Sequence, residues 1–190
     1  MQLYPYQRRI NEFLKDETIL GKPHKILLVD VGLGKTPITA QTIKDLGLQT
    51  ALVVCPVKIK ETWKRQLILW GAFKQNDIFI AWSTKDLVPA SAKCVIINYE
   101  LLRSTNRRQG KSTKNKLFTQ LYLRRWNVCV LDECQKVRSR TSKITFSLLH
   151  RNGSPLIGRA YHKWCLSATL HDSHAHIYPL AKSLAPELLG

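Results

Sequence analysis

No Cys-X-X-Cys pair occurs among the five cysteines, at positions 55, 94, 129, 134 and 165, and their odd number argues against a closed disulfide framework. Four lie in or beside short apolar runs, where a free thiol behaves as a small buried hydrophobe. A zinc ribbon is thereby excluded, and a reducing compartment is expected. No apolar run approaches the roughly 18 residues of a membrane helix. Met1-Gln2-Leu3-Tyr4-Pro5 lacks the basic-then-apolar layout of a signal peptide. The expectation is a soluble intracellular protein with no membrane partner. Acidic residues are also scarce, 13 Asp plus Glu against 30 Lys plus Arg, for a net charge of +17. That imbalance says little about fold and makes a polyanion the leading partner, nucleic acid first. There is no internal repeat, long linker or low-complexity tract. A length of 190 residues suits one α/β domain and is too short for two ordinary ones.

What is present is an alternation of short apolar runs and amphipathic stretches. Residues 5–15 read as a helix with Tyr6, Ile10, Phe13 and Leu14 on one face. Strands are expected at 25–30, 50–55, 77–81, 94–97, 128–131 and 164–166. Helices are expected at 36–46, 58–70, from 117, at 142–149, and around Ile177 to Leu184. The stretch from Arg103 to Lys116 holds Gly110 and no apolar residue, and reads as a flexible basic loop. Near-continuous apolar strands alternating with helices imply a mostly parallel sheet covered on both faces. In such sheets ligands bind beyond the carboxyl ends of the strands.

The informative stretch lies at the first of those ends. Val29-Asp30-Val31-Gly32-Leu33-Gly34-Lys35-Thr36 follows an apolar strand, and Pro37 suits the helix start that comes after it. Strand, glycine turn and helix in that order form a phosphate-binding loop. Gly32, Leu33 and Gly34 let the backbone approach phosphates, and the helix N-terminus aims N–H groups at them. Lys35 reaches the β/γ-phosphates and Thr36 ligates Mg²⁺. The strict pattern places Gly where this chain has Val29. At a second strand end, Asp132-Glu133 supplies what such a loop lacks. Asp132 holds Mg²⁺, usually through water, and its neighbour Glu133 orients or deprotonates the attacking water. Together the two signals predict a Mg-dependent nucleoside triphosphatase.

On these residues the chain resembles the first RecA-like lobe of superfamily 2 helicases, most closely the Swi/Snf-type DNA translocases. Leu3-Tyr4-Pro5-Tyr6-Gln7 is similar to the Q motif, and the resemblance implies that Gln7 reads adenine, making the nucleotide ATP. Asp30 to Thr36 resembles motif I. Val53-Val54-Cys55-Pro56 resembles motif Ia, with Trp63 and Lys64 following, and Ile97-Asn98-Tyr99-Glu100-Leu101-Leu102 resembles motif Ib. Both segments contact the nucleic-acid backbone in the family, which implies such contacts around Pro56, Lys58, Asn98 and Tyr99. Asp132-Glu133-Cys134-Gln135 is similar to motif II. Leu166-Ser167-Ala168-Thr169 resembles motif III, which couples nucleotide state to the grip on nucleic acid. Gln135, Ser167, Ala168 and Thr169 are the implied coupling residues. Ser-Ala-Thr-Leu170 stands where remodellers have Thr-Gly-Thr-Pro. The resemblance implies a single RecA-like lobe over residues 1–190 that acts on duplex DNA. It also implies a second lobe, in cis or in trans, carrying the arginine finger. Such a finger is worth about 10³–10⁵ in rate, so the chain alone is expected to hydrolyse ATP slowly.

Other features carry less. Arg103, Arg107, Arg108 and Lys111 are candidates for tracking phosphates. His171, Asp172, His174 and His176 read as surface residues of a polar turn rather than a metal site. Trp63, Trp70 and Trp126 fall on helix or strand positions where an aromatic side chain is more often core than a base-stacking surface. The main rival reading is a basic nucleic-acid-binding protein that keeps the fold without turnover, and a small-molecule P-loop kinase is a second.

Overall fold

The computed structural model describes residues 2–16, 24–102, 105–108, 111–137, 143–150, 155–168 and Leu184. In chain order the strands are β1 (His24–Leu28), β2 (Ala51–Cys55), β3 (Ile78–Ile80), β4 (Cys94–Asn98), β5 (Thr105–Arg108), β6 (Lys111–Lys114), β7 (Trp126–Asp132) and β8 (Ala160–Ser167). The helices are α1 (Pro5–Lys15), α2 (Lys35–Asp45), α3 (Lys60–Leu69), α4 (Lys116–Leu123) and a short α5 (Lys143–Thr145). Six strands form one sheet in the order β1-β8-β7-β2-β4-β3, and β5 and β6 form a separate pair. Every pairing in the six-stranded sheet is parallel. This is the RecA-like architecture expected from the alternating pattern.

Successive side chains of a strand point to opposite faces, so a strand buried on both sides must be apolar throughout. Ala51–Cys55 is such a strand, with every residue buried. Ala51, Val53 and Cys55 pack with Ile38, Ile43, Trp63 and Leu67 of α2 and α3. Leu52 and Val54 pack on the other side with Leu117, Phe118 and Leu121 of α4. The central strands β2, β4 and β7 thereby share both cores. All five cysteines are free and buried, and burial pushes the Cys129 thiol up to about 12.

Several elements differ from the sequence expectation. The basic stretch at 105–114 is a β-hairpin rather than a flexible loop, with Arg107 opposite Ser112 and Arg108 opposite Lys111. Its apolar content is nil, so hydrophobic periodicity carried no signal for it. The strand expected at 164–166 begins earlier, at Ala160, because Tyr161 and Lys163 alternate with buried His162 and Trp164 along an eight-residue run. The helix expected at 142–149 is the α5 turn followed by a π-helical segment, Phe146–His150. On α1 the buried positions are Gln7, Asn11 and Leu14, and Tyr6 faces outward, 42% exposed. Asn11 enters the core because its Nδ2 donates to Thr42 Oγ1 of α2 at 3.0 Å. Of the final expected helix only Leu184 is described, and it is buried. The histidines at 171, 174 and 176 and Asp172 lie outside the described residues.

Candidate nucleotide site and nucleic-acid rim

The glycine turn leaves the sheet at the end of β1, where Val29 N donates to Ser167 O at 3.0 Å. Gly32 and Gly34 both have φ +85°, a left-handed conformation in which an L side chain is strained. Gly34 is also the N-cap of α2. A Cβ there would collide with Gln7 Nε2. Gln7 is 7% exposed. Its Oε1 accepts from Tyr4 N at 3.0 Å and its Nε2 donates to Leu33 O at 3.2 Å. The Tyr6 hydroxyl reaches the same carbonyl at 3.3 Å. The start of α1 is thus clamped onto the glycine turn, with Tyr4 and Tyr6 stacked beside it, their ring centroids 6.1 Å apart.

Lys35, in the first turn of α2, is buried, and its ammonium is held by the turn itself. Its Nζ donates to Val29 O at 2.8 Å and Asp30 O at 3.3 Å. The next residue, Thr36, is half-buried. Asp132 ends β7, two strands from β1 with β8 between. Its Oδ2 accepts from Trp63 Nε1 of α3 at 2.8 Å, and its Oδ1 accepts from Glu133 N at 3.0 Å. Tyr99 donates its hydroxyl to Asp132 O at 2.7 Å.

The Asp132 carboxyl sits above the usual range because burial disfavours its charge. The Trp63 N–H pulls it back, the Glu133 charge raises it further, and the Lys35 ammonium lowers it. Lys35 and Asp132 therefore act on each other electrostatically and face one cleft.

Glu133 has φ +54°, an uncommon conformation for a residue with a side chain. Its Oε2 accepts from Gln135 Nε2 at 2.6 Å, and Gln135 Oε1 accepts from Ser167 Oγ at 2.8 Å. Since Ser167 O in turn holds Val29 N, a continuous chain of bonds joins the acid pair, the end of β8 and the glycine turn. Ala168 follows as a half-buried bend; Thr169 lies outside the described residues.

The remaining predicted residues flank this cleft. Pro56 is half-buried and Lys58 exposed just beyond β2. Asn98 ends β4 opposite Cys55, and its Nδ2 donates to Glu100 Oε2 at 2.6 Å. Tyr99 is 1% exposed and belongs to the core, so its side chain is not offered to a ligand. Arg107, Arg108 and Lys111 lie on the hairpin; Arg103 lies outside the described residues. Trp63, Trp70 and Trp126 are all buried, as expected of core aromatics.

Sequence reasoning missed what Trp63 does. Its spacing from Ile59 and Leu67 marks a core face, but nothing in the pattern shows that its N–H meets a carboxylate from another element. Among the described residues no group of three or more His, Cys, Asp or Glu side chains is placed to hold a metal ion. Mg²⁺ bound beside phosphates needs no such cluster, since one or two carboxylates, waters and the phosphates complete its shell. Asp132 and Thr36 fit that donor set. Each carboxylate oxygen of Asp132 keeps an open lone pair beside its one hydrogen bond.

A parallel sheet with a glycine turn at β1 and an acid pair at β7 defines an ATP-binding, RecA-like lobe of the helicase type. The SNF2-related domain profile matches residues 6–190, and the chain belongs to that family, as an N-terminal lobe of Swi/Snf type. It is 28% identical over 155 residues to the DNA excision repair protein ERCC-6-like of Bos taurus, covering 75% of this chain and 12% of that one. The SWI2/SNF2 ATPase core of Sulfolobus solfataricus, solved in complex with dsDNA, matches with a TM-score of 0.77 and 21% identity over 100% of this chain and 37% of that one. The UvsW helicase of bacteriophage T4 matches with a TM-score of 0.63 and 16% identity, over 94% of this chain and 57% of that one. The chain thus spans only a minor part of the curated relative and of the archaeal core. No helix among the described residues is long and apolar enough to cross a membrane.

Proposed function

We propose that this chain is the ATP-binding lobe of a DNA-dependent translocase, hydrolysing ATP once a second RecA-like lobe closes on it. The observation that carries this reading is the electrostatic contact between Lys35 and Asp132 across the end of β8. A lysine in a glycine turn and a buried acid facing the same cleft are the two halves of a triphosphate site.

On this reading Lys35 leaves the Val29 and Asp30 carbonyls for the β/γ-phosphates. Gly32, Leu33 and Gly34 wrap the phosphates with backbone N–H groups, and Gln7 recognises adenine. Thr36 and Asp132 hold Mg²⁺, which would neutralise charge developing on the phosphates. Glu133 accepts a proton from the attacking water. Gln135 and Ser167 carry the state of Glu133 to Ala168 and Thr169. Pro56, Lys58 and Asn98, with the cations of the 105–114 hairpin, grip the nucleic-acid backbone. The charge of +17 supports a polyanion as the partner, and duplex DNA is the form the family favours.

The test is steady-state ATPase with and without duplex DNA, for the chain alone and with a second RecA-like lobe of the family added in trans. Slow turnover alone and a rise of about 10³-fold or more on completion is expected, since an arginine finger contributes on that order. Brisk turnover by the chain alone, indifferent to the second lobe, contradicts the half-site.

A further inference from the structure

Four of the five tryptophans are buried, whereas Trp82 is 55% exposed. Its place in the fold is specific. Strand β3 is the edge of the sheet, with Ile80 opposite Ile96 of β4, and the pairing continues as Ala81 N donates to Ile96 O at 2.9 Å. By that register Trp82 leaves the sheet level with Asn98, which itself stands opposite Cys55, the residue before Pro56. Trp82 therefore belongs to the same row of strand ends as the two segments assigned above to nucleic acid.

The surroundings of the ring are built rather than incidental. Lys60, fully buried, lies with its Nζ 4.3 Å from the Trp82 ring centroid, and the same Nζ donates to Ala81 O at 2.6 Å. The backbone is fixed as well, for Asp86 Oδ2 accepts from Trp82 N at 2.6 Å and from Ser83 N at 2.9 Å. One face of the indole is thus backed by a cation, while half of the ring surface stays open to solvent. The Lys60 charge is answered locally by Asp86 and Glu100, both within its electrostatic reach. A phosphate gains little at such a spot. A flat π-surface gains more, since stacking on an aromatic ring needs no net charge and every base presents a π-face.

We propose that Trp82 is a stacking platform for an unpaired nucleobase at the rim of this lobe. The proposal rests on the reading that this rim holds nucleic acid, and it makes the partner a strand with at least one unpaired nucleotide there.

The test is fluorescence anisotropy of labelled single-stranded oligothymidylate and of a blunt duplex, titrated across salt concentrations with wild type, Trp82→Ala and Trp82→Phe. Trp82→Ala is expected to weaken single-strand binding about 5- to 100-fold, the range of one lost base stack. The salt slope should stay unchanged, because no phosphate contact is removed, and duplex affinity should move by less than about twofold. Trp82→Phe keeps a ring and should retain most of the single-strand affinity, which also controls for folding. Equal losses on single strand and duplex, a changed salt slope, or a Phe variant as weak as the Ala variant would each overturn the assignment. A wild type that binds neither probe removes the underlying reading as well. Wild-type binding that Trp82→Ala leaves untouched removes this assignment alone.

Discussion

Gly32 and Gly34 share φ +85° but not their surroundings, and the difference separates two costs. Alanine at Gly32 meets open space, whereas alanine at Gly34 also strikes the Gln7 amide. Gly32→Ala should cost only the backbone term, about 1–3 kcal/mol. Gly34→Ala should cost more and free the start of α1, and urea denaturation of both variants will show the order. Equal midpoints would mean that Gln7 does not brace the turn.

Asp132 makes a prediction with a definite sign. Its carboxyl is raised above its ordinary 3.8, chiefly by burial, so the folded state binds that proton more tightly than the unfolded chain. The stabilisation is fully present below the ordinary value and is lost as pH rises through the raised one. Asp132→Asn has no such titration. Wild type should therefore lose stability relative to this variant as pH climbs across that window. Trp63→Phe removes the largest influence holding the carboxyl down, so it should move the window to higher pH. Denaturation midpoints measured against pH test both, and a Trp63→Phe profile that overlays wild type would contradict the role given to the indole N–H.

At the scale of elements, legibility followed burial. Strands β2, β4 and β7 are apolar on both faces, and their sequences announced them to within a residue or two. The site residues at their ends were legible for the same reason, because Gly34-Lys35-Thr36 and Asp132-Glu133 directly follow runs that only a strand accommodates. Two kinds of feature were not legible. The hairpin at 105–114 is held by backbone pairing alone, which leaves no periodic pattern in side chains. Contacts that link distant elements were the other kind. Trp63 on Asp132, Tyr99 on the Asp132 carbonyl and Lys60 beneath Trp82 each join elements far apart in sequence, and residue type at either end is equally suited to plain packing.

That hairpin carries its own test. Each of Arg107, Arg108 and Lys111 that meets a phosphate should contribute about 0.9 to the slope of log K against log salt on duplex DNA. Changing all three to glutamine should flatten the slope accordingly while leaving Mg·ATP affinity alone. An unchanged slope would exclude the hairpin from the interface.

The whole molecule joins two chemistries on one rim. The half formed by β1, β8 and β7 carries the lysine, the acids and the bonded chain from Glu133 to Ser167. The other half, β2, β4 and β3, carries Pro56, Lys58, Asn98 and Trp82. Strand β7 pairs directly with β2, and Trp63 spans the junction by rising from the helix after Lys58 to the carboxylate of Asp132. Such an arrangement lets occupancy of one half bias the other through a single rigid helix.

The most direct measurement is isothermal titration of Mg·ATP into wild type, Lys35→Ala and Asp132→Asn. Wild type should bind, and each substitution should weaken binding by about tenfold or more, the scale of one lost charge-assisted contact. Chelating Mg²⁺ should lower the wild-type affinity and leave Asp132→Asn almost unaffected. Equal affinities in all three proteins, or no binding by wild type, would contradict a triphosphate held between Lys35 and Asp132.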